Sequence, residues 1–185
     1  VGDNKPEVST TAAWAVAALL FSNRELRKFA GPPVKIALAS ANPWTRYYGY
    51  VAARRALMPD LVSAVVKAAI KENTSVLKIS AARELSQFPG NENVAEILKG
   101  YLGDSNQNVR VESVFAAGDL GDEFLIQETL GLLKKETNLE VKAAILKVHA
   151  RRNGSKALKL IEPYVVDKDV NFRIRMAECL GLIGD

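Results

Sequence analysis

The sequence predicts an all-α protein, a right-handed solenoid of about six two-helix units, and three observations lead to this fold class. A stretch with the spacing of an amphipathic helix recurs about every 32 residues. Short polar turns rich in Gly, Asn, Asp and Pro separate the successive helices. No segment shows the sustained alternation of apolar and polar residues that is typical of strands.

The repeat is clearest in two segments, Val109–Asp122 (VRVESVFAAGDLGD) and Phe172–Asp185 (FRIRMAECLGLIGD), which begin 63 positions apart. Further copies follow at steps of about 32 residues, and a looser copy begins near the N-terminus. Apolar or small residues are expected at offsets 0, 4, 8 and 11 from each start, because these positions share one face of a helix. The six starting positions, or anchors, are Val8, Thr45, Leu77, Val109, Val141 and Phe172.

Another helix is predicted before each anchor except Val8. It has an apolar residue eleven positions upstream of the anchor, and the first such residue is Val34. Because a unit of two helices cannot bury both apolar stripes alone, the units are expected to stack in a row. Residues 1–185 are therefore predicted to form a single repeat array. Pro163 is expected to shorten or kink the helix before Phe172. The last anchored helix has no following unit, so we expect this array to be part of a longer protein.

The two clearest segments resemble HEAT-like repeats of the short bacterial kind, which include the phycobilisome-lyase-type repeats. The shared pattern is Val-Arg, a run of small residues, and then Leu-Gly and Ile-Gly-Asp. The resemblance covers residues 34–185 well and the first 33 residues poorly. It implies an armadillo-like superhelix in which the second helix of each unit lines the concave wall. It also implies a ladder of acidic and basic residues between units.

Charged residues recur at fixed places around the anchors. The position after the anchor is basic in five units, and the position five residues before the anchor is acidic in four. A basic row could bind phosphates, but a strict period shared with acidic residues favours a structural role. In that role each basic side chain bonds turn carbonyls and the acid of its own or the next unit. The ladder residues are Arg46, Lys78, Arg110, Lys142 and Arg173, with Glu72, Asp104, Glu136 and Asp167.

A candidate partner-binding surface lies on the second helices, at offsets opposite the apolar stripe. The resemblance implies that these positions face a partner. Arg and aromatic residues are enriched in protein interfaces, and Glu112 and Asp119 interrupt the basic track in the fourth unit. We therefore favour a non-catalytic scaffold that binds a protein. The candidate residues are Tyr48, Arg54, Arg55, Arg83, Phe115, Lys147 and Arg151.

Two alternative functions remain open from the sequence. The arginines could bind nucleic-acid phosphates while Trp14, Tyr48 or Phe115 stack on bases. Certain DNA glycosylases are built from HEAT-like repeats, but they need a carboxylate beside exposed tryptophans. Here Trp14 lies in the poorly matched first unit and Trp44 precedes an anchor. The second alternative, from the resemblance alone, is a lyase-like role in handling a bilin bound to another protein.

The composition favours a soluble protein without metal or cofactor chemistry. The chain has 185 residues, a formal net charge of +4, one histidine and one cysteine, so no zinc-ligand spacing exists. His149 and Cys179 fall at offsets 8 and 7, alongside small or apolar residues, and are expected to be buried. The apolar run Ala12–Phe21 is too short to span a bilayer. We expect a cytoplasmic location, although a start at Val1 leaves a processed or trimmed N-terminus open.

Overall fold

The structure, a computed structural model, describes residues 5–184, and every regular element in this range is helical. The predicted all-α class is therefore confirmed. None of the helices in this range combines the length and apolar character that a bilayer span needs. The α-helices are α1 (Pro6–Ser22), α2 (Gly31–Leu38), α3 (Pro43–Ala56), α4 (Val62–Ala69), α5 (Ser75–Leu85), α6 (Glu92–Leu102), α7 (Gln107–Leu120), α8 (Glu123–Lys135), α9 (Leu139–Asn153), α10 (Leu158–Ile161) and α11 (Val170–Gly184).

The chain divides into two compact units, Val1–Leu98 and Lys99–Asp185, and the boundary falls within α6. In the first unit α3 packs against α1, α2 and α5, and α5 also contacts α4. In the second unit α9 packs against α7, α8 and α11, and α11 also contacts α10. Each unit is thus built from the predicted alternation of first helices and anchored second helices.

Three of the anchored helices, α3, α7 and α9, begin at asparagine caps. The Asn106 side chain accepts hydrogen bonds from the backbone N–H groups of Asn108 and Val109, the second and third residues after it. Asn42 and Asn138 cap α3 and α9 in the same way. An Asn carbonyl oxygen satisfies donors that have no partner inside the helix, which explains why helices start at the polar turns.

Offsets 0 and 8 of the predicted apolar stripe are buried in α5, α7 and α9. Leu77, Val109 and Val141 are buried at offset 0, and Leu85 and Ala117 are buried at offset 8. The predicted effect of Pro163 is also confirmed, because α10 ends at Ile161 and the proline lies in a short 3₁₀ turn.

The register predicted for α1 was wrong by one residue. Offsets 0 and 11 predict that Val8 and Leu19 are buried, but they are 47% and 53% exposed. The hydroxyl of Ser9 lies 3.3 Å from the hydroxyl of Thr45, the next anchor, so a polar residue is satisfied at this buried position. The buried residues of α1 are Ser9, Ala13, Ala17 and Leu20.

The stripe is also interrupted at Arg152, Leu180 and Ile183. Arg152, at offset 11 of α9, is exposed, whereas His149 at offset 8 is buried. On α11, Met176 and Cys179 are buried, whereas Leu180 is 37% exposed and Ile183 is half-buried. Burial on α11 therefore favours offsets 4 and 7 over offsets 8 and 11.

Candidate functional site

Two of the ladder arginines, Arg46 and Arg110, form paired hydrogen bonds with glutamates. Arg46 Nε and Nη2 each lie 2.8 Å from a carboxylate oxygen of Glu72. Arg110 Nε and Nη2 lie 2.8 and 3.0 Å from the two oxygens of Glu136. Each glutamate precedes the next anchored helix, so a fork of two bonds joins one anchored helix to the start of the following one.

The third nitrogen of the same guanidinium groups binds the turn before its own helix. Arg110 Nη1 donates to the carbonyl oxygens of Asp104 and Ser105, at 2.9 and 3.1 Å. Arg46 and Arg173 make the equivalent pair of bonds, to the carbonyls six and five residues before them. These guanidinium donors are therefore used within the scaffold, which supports the structural interpretation of the ladder.

The ladder acids also hold backbone N–H groups. Glu136 accepts hydrogen bonds from the N–H groups of Thr137 and Asn138, and Asp104 and Asp167 each bind the N–H two residues later. Burial alone would raise the pKa of Glu136, but the bonds from Arg110 and the backbone lower that pKa below its usual value. The acids thus shape the turns that precede the anchored helices.

The lysines of the ladder lie at the same helical position as the arginines. Lys142 Nζ is 5.9 Å from the centre of the Tyr164 ring, within range of a cation–π interaction. Lys78 is half-buried on α5.

The candidate partner residues of the first unit fall into two groups. Tyr48 is half-buried and its ring packs edge-on against Tyr47, with 5.2 Å between the ring centres. Arg54 and Arg83 are exposed. Arg55 differs from these, because it donates to the carbonyl oxygen of Ala17 on α1 and lies over the Phe21 ring. It is therefore engaged in packing α3 against α1.

Two of the three candidate residues of the second unit line a cleft of about 130 Å³ between α7, α9 and α11. Phe115 and Lys147 line this cleft, and Arg151 is exposed on α9. Lys147 Nζ is 3.8 Å from a carboxylate oxygen of Glu178. Another pair links Glu140 of α9 to Arg175 of α11 at 3.2 Å. The surface of this cleft therefore carries both charges around an aromatic side chain.

His149 is buried, as the sequence predicts, and both of its ring nitrogens lie within hydrogen-bond distance of side chains. Thr129 Oγ1 lies 3.0 Å from Nε2, and Asn153 Nδ2 lies 3.2 Å from Nδ1. Because the Thr129 hydroxyl donates to the carbonyl of Ile126, its oxygen accepts from Nε2–H, which leaves Nδ1 as an acceptor for Asn153. Burial, reinforced by nearby Arg152 and opposed by Glu123, lowers the pKa of His149 below its usual value.

Acidification from pH 7.5 to 5.5 is expected to destabilise the protein through His149. Its pKa is lower in the folded than in the unfolded chain, so the unfolded chain takes up the proton first and stability is lost as pH falls. In His149→Gln this component of the pH dependence should disappear. Urea denaturation of both proteins across this range checks it, and parallel profiles for the two proteins would contradict it.

A buried carboxyl group that the sequence analysis missed lies on α5. Glu84 is 1% exposed, and its Oε2 atom has no hydrogen-bond partner. Burial, partly opposed by the charge of Arg54, raises the pKa of Glu84 from 4.5 to about 8. The signal was present in the repeat, because Glu84 stands at offset 7, where other units have Ala52, Ala116, Val148 and Cys179.

Glu84 lines two cavities in the first unit. The larger, of about 410 Å³, also has Leu57, Val62 and Phe88 on its walls. The smaller, of about 40 Å³, is lined by Arg54, Arg83 and two tyrosines among others. In residues 5–184 there is no group of three His, Cys, Asp or Glu side chains that could hold a metal ion.

These features define an all-α protein of paired helices in which α3, α7 and α9 share an asparagine cap, and α3, α7 and α11 share one arginine-to-turn arrangement. No protein-family model and no curated protein matches the chain. Its fold is similar to that of an engineered protein in a crystal structure from the Northeast Structural Genomics Consortium, with a TM-score of 0.61 and 17% sequence identity. The alignment covers 98% of this chain and 92% of that chain. At this identity the likeness concerns the fold alone.

Proposed function

We propose that the chain is a right-handed α-solenoid of about six HEAT-like repeats and works as a non-catalytic scaffold that binds a protein partner on its anchored helices. Support for the repeats comes from the period of the sequence and from the arrangement around Arg46, Arg110 and Arg173, which recurs in both units. Repeat arrays of this kind use the exposed face of one helix set for binding.

The mixed charge of the second-unit cleft is the observation that carries the choice of a protein partner. Lys147 lies near Glu178, and Arg175 lies near Glu140, so each of these cations is accompanied by a carboxylate. A surface that binds a phosphate backbone needs cations free to replace counterions. An apolar centre with a polar rim of both charges is typical of protein interfaces, and Phe115 provides such a centre.

A double variant of the cleft residues tests the proposed surface. Lys147→Glu combined with Phe115→Ala is expected to weaken capture of the partner from a native lysate at least about tenfold. The double variant removes both the aromatic side chain and the positive charge that the cleft offers to a partner. The control is Lys134→Glu, the same charge change on the exposed side of α8, which should leave capture unchanged. Equal capture by the wild type and the cleft variant would place the partner elsewhere.

Salt dependence distinguishes a protein partner from nucleic acid. We expect no binding to generic duplex or single-stranded DNA at about 50 mM salt. Micromolar affinity that falls steeply with the logarithm of salt concentration would overturn the protein-binding proposal.

A further inference from the structure

The larger cavity of the first unit lies between two turns that follow helices. Leu57 and Pro59 come from the turn after α3, and Phe88, Pro89 and Asn91 come from the turn after α5. Its volume of about 410 Å³ is in the range of cavities that hold small organic molecules. The walls are mostly apolar, so a ligand with an apolar body fits them.

The electrostatic character of this cavity favours a cation. None of its lining residues is Lys or Arg, and Gln87 and Asn91 are its neutral polar members. Glu84 is the most deeply buried residue of the lining, and its Oε2 atom has no hydrogen-bond partner.

A buried carboxyl group without a partner is costly, and a ligand that pairs with it recovers that cost. We propose that this cavity binds a small organic cation, an ammonium group attached to an apolar body, with the Glu84 carboxylate as its counter-ion. The ammonium supplies the hydrogen bonds that Oε2 lacks. The apolar body of the ligand contacts Leu57, Val62 and Phe88. Binding of the amine does not depend on the proposed protein partner.

Binding of the ammonium is coupled to loss of the Glu84 proton. The pKa of Glu84 is about 8 in the free protein, so at pH 7 its carboxyl is mainly protonated, and the proton passes to the buffer when the ammonium binds. The other charged or phenolic groups facing Glu84 are Arg54, Arg83, Tyr47 and Tyr50, which line the smaller cavity. The positive charge of Arg54 lowers the pKa of Glu84 but does not offset the effect of burial.

Titration with 2-phenylethylamine, and with 2-phenylethanol as its neutral isostere, tests the site. We expect a dissociation constant on the order of 1 mM for the amine at pH 8.5, and binding of the alcohol at least about tenfold weaker. Between pH 8.5 and pH 6.5 the amine affinity should fall roughly 20-fold as Glu84 becomes protonated, while the ligand stays charged. Calorimetry in two buffers of different ionisation heat should show proton release at pH 7.

Two variants complete the test. Glu84→Gln keeps the shape of the side chain and removes its charge, so amine affinity should fall at least about tenfold at pH 8.5. Glu96→Gln, an exposed position on α6, should bind the amine as the wild type does. The proposal is overturned if the amine shows no saturable binding, or if the amine and the alcohol bind the wild type equally. It is also overturned if Glu84→Gln binds the amine as tightly as the wild type does. If Glu84→Gln fails to fold, the comparisons of amine with alcohol and of pH 8.5 with pH 6.5 in the wild type still test the proposal.

Discussion

Glu84→Gln is expected to be more stable than the wild type at pH 9 and to lose most of the pH dependence of unfolding in the first unit. The folded chain holds the Glu84 proton up to about pH 8, whereas the unfolded chain releases it near pH 4.5. The stability contribution of the neutral group is therefore complete below pH 4.5 and is lost as pH rises to 8. A shift of this size corresponds to roughly 5 kcal/mol as an upper limit.

Tryptophan fluorescence during urea denaturation measures the free energy of unfolding of the first unit, which contains Glu84. Both tryptophans, Trp14 and Trp44, lie in the first unit with Glu84, so their emission reports the unfolding of that unit. The free energy of unfolding should fall between pH 5 and pH 9 in the wild type and in the exposed control Glu96→Gln. It should change little in Glu84→Gln over the same range. Parallel profiles for all three proteins would show that Glu84 is charged or solvated in the folded chain.

A buried carboxyl group with an unpartnered oxygen at position 84 favours a functional role over a purely structural one. The same helical position is occupied by small apolar residues such as Ala52 and Ala116, which pack without cost. A carboxyl group there lowers stability at neutral pH and above, because its charged form is poorly solvated. Strongly perturbed carboxyl groups in clefts are typical of binding and catalytic sites. The cost at Glu84 is therefore consistent with the proposed ammonium site.

The sequence predicted those features of the fold that repeat. The helical class, the burial of Leu85 and Ala117 and the interruption at Pro163 follow from periodicity and backbone chemistry, which act within each unit. The register of α1 could not be predicted in this way. Ser9 is satisfied by Thr45, a residue 36 positions away, and this contact exists only after α1 packs on α3.

The candidate site was predictable only where it follows the period. The ladder was visible as two periodic columns, but the bonding partner of each arginine was not. Arg110 joins the carboxylate of Glu136, 26 residues later, and also the carbonyl of Asp104 in its own unit. Arg55 is predicted for the partner surface because its offset is exposed in an ideal helix, and the periodicity does not show its bond to the Ala17 carbonyl of α1, which leaves the side chain half-buried. Glu84 was missed because a single polar residue, at an offset where the other units have apolar residues, does not by itself indicate a site.

Arg110→Ala is expected to destabilise the second unit by about 3–5 kcal/mol, the second large effect that we predict. The side chain of Glu136 is only 5% exposed, and removal of Arg110 leaves its carboxylate without its counter-charge. Two carbonyl oxygens of the preceding turn lose their donors as well. The lowered pKa of Glu136 reflects the same contacts, so part of the loss should vanish when acid protonates Glu136.

The control for Arg110 is Arg175→Ala, which breaks an ion pair with Glu140 whose side chains are 47% and 58% exposed. Solvent screening limits the value of such a pair, so we expect a loss of about 0–1 kcal/mol. The double variant Arg110→Ala/Glu136→Gln should recover part of the loss, because it removes the stranded charge. Circular dichroism during urea denaturation measures all four proteins. If Arg110→Ala were as stable as the control but no longer bound the partner, the ladder would belong to the binding surface instead of the scaffold.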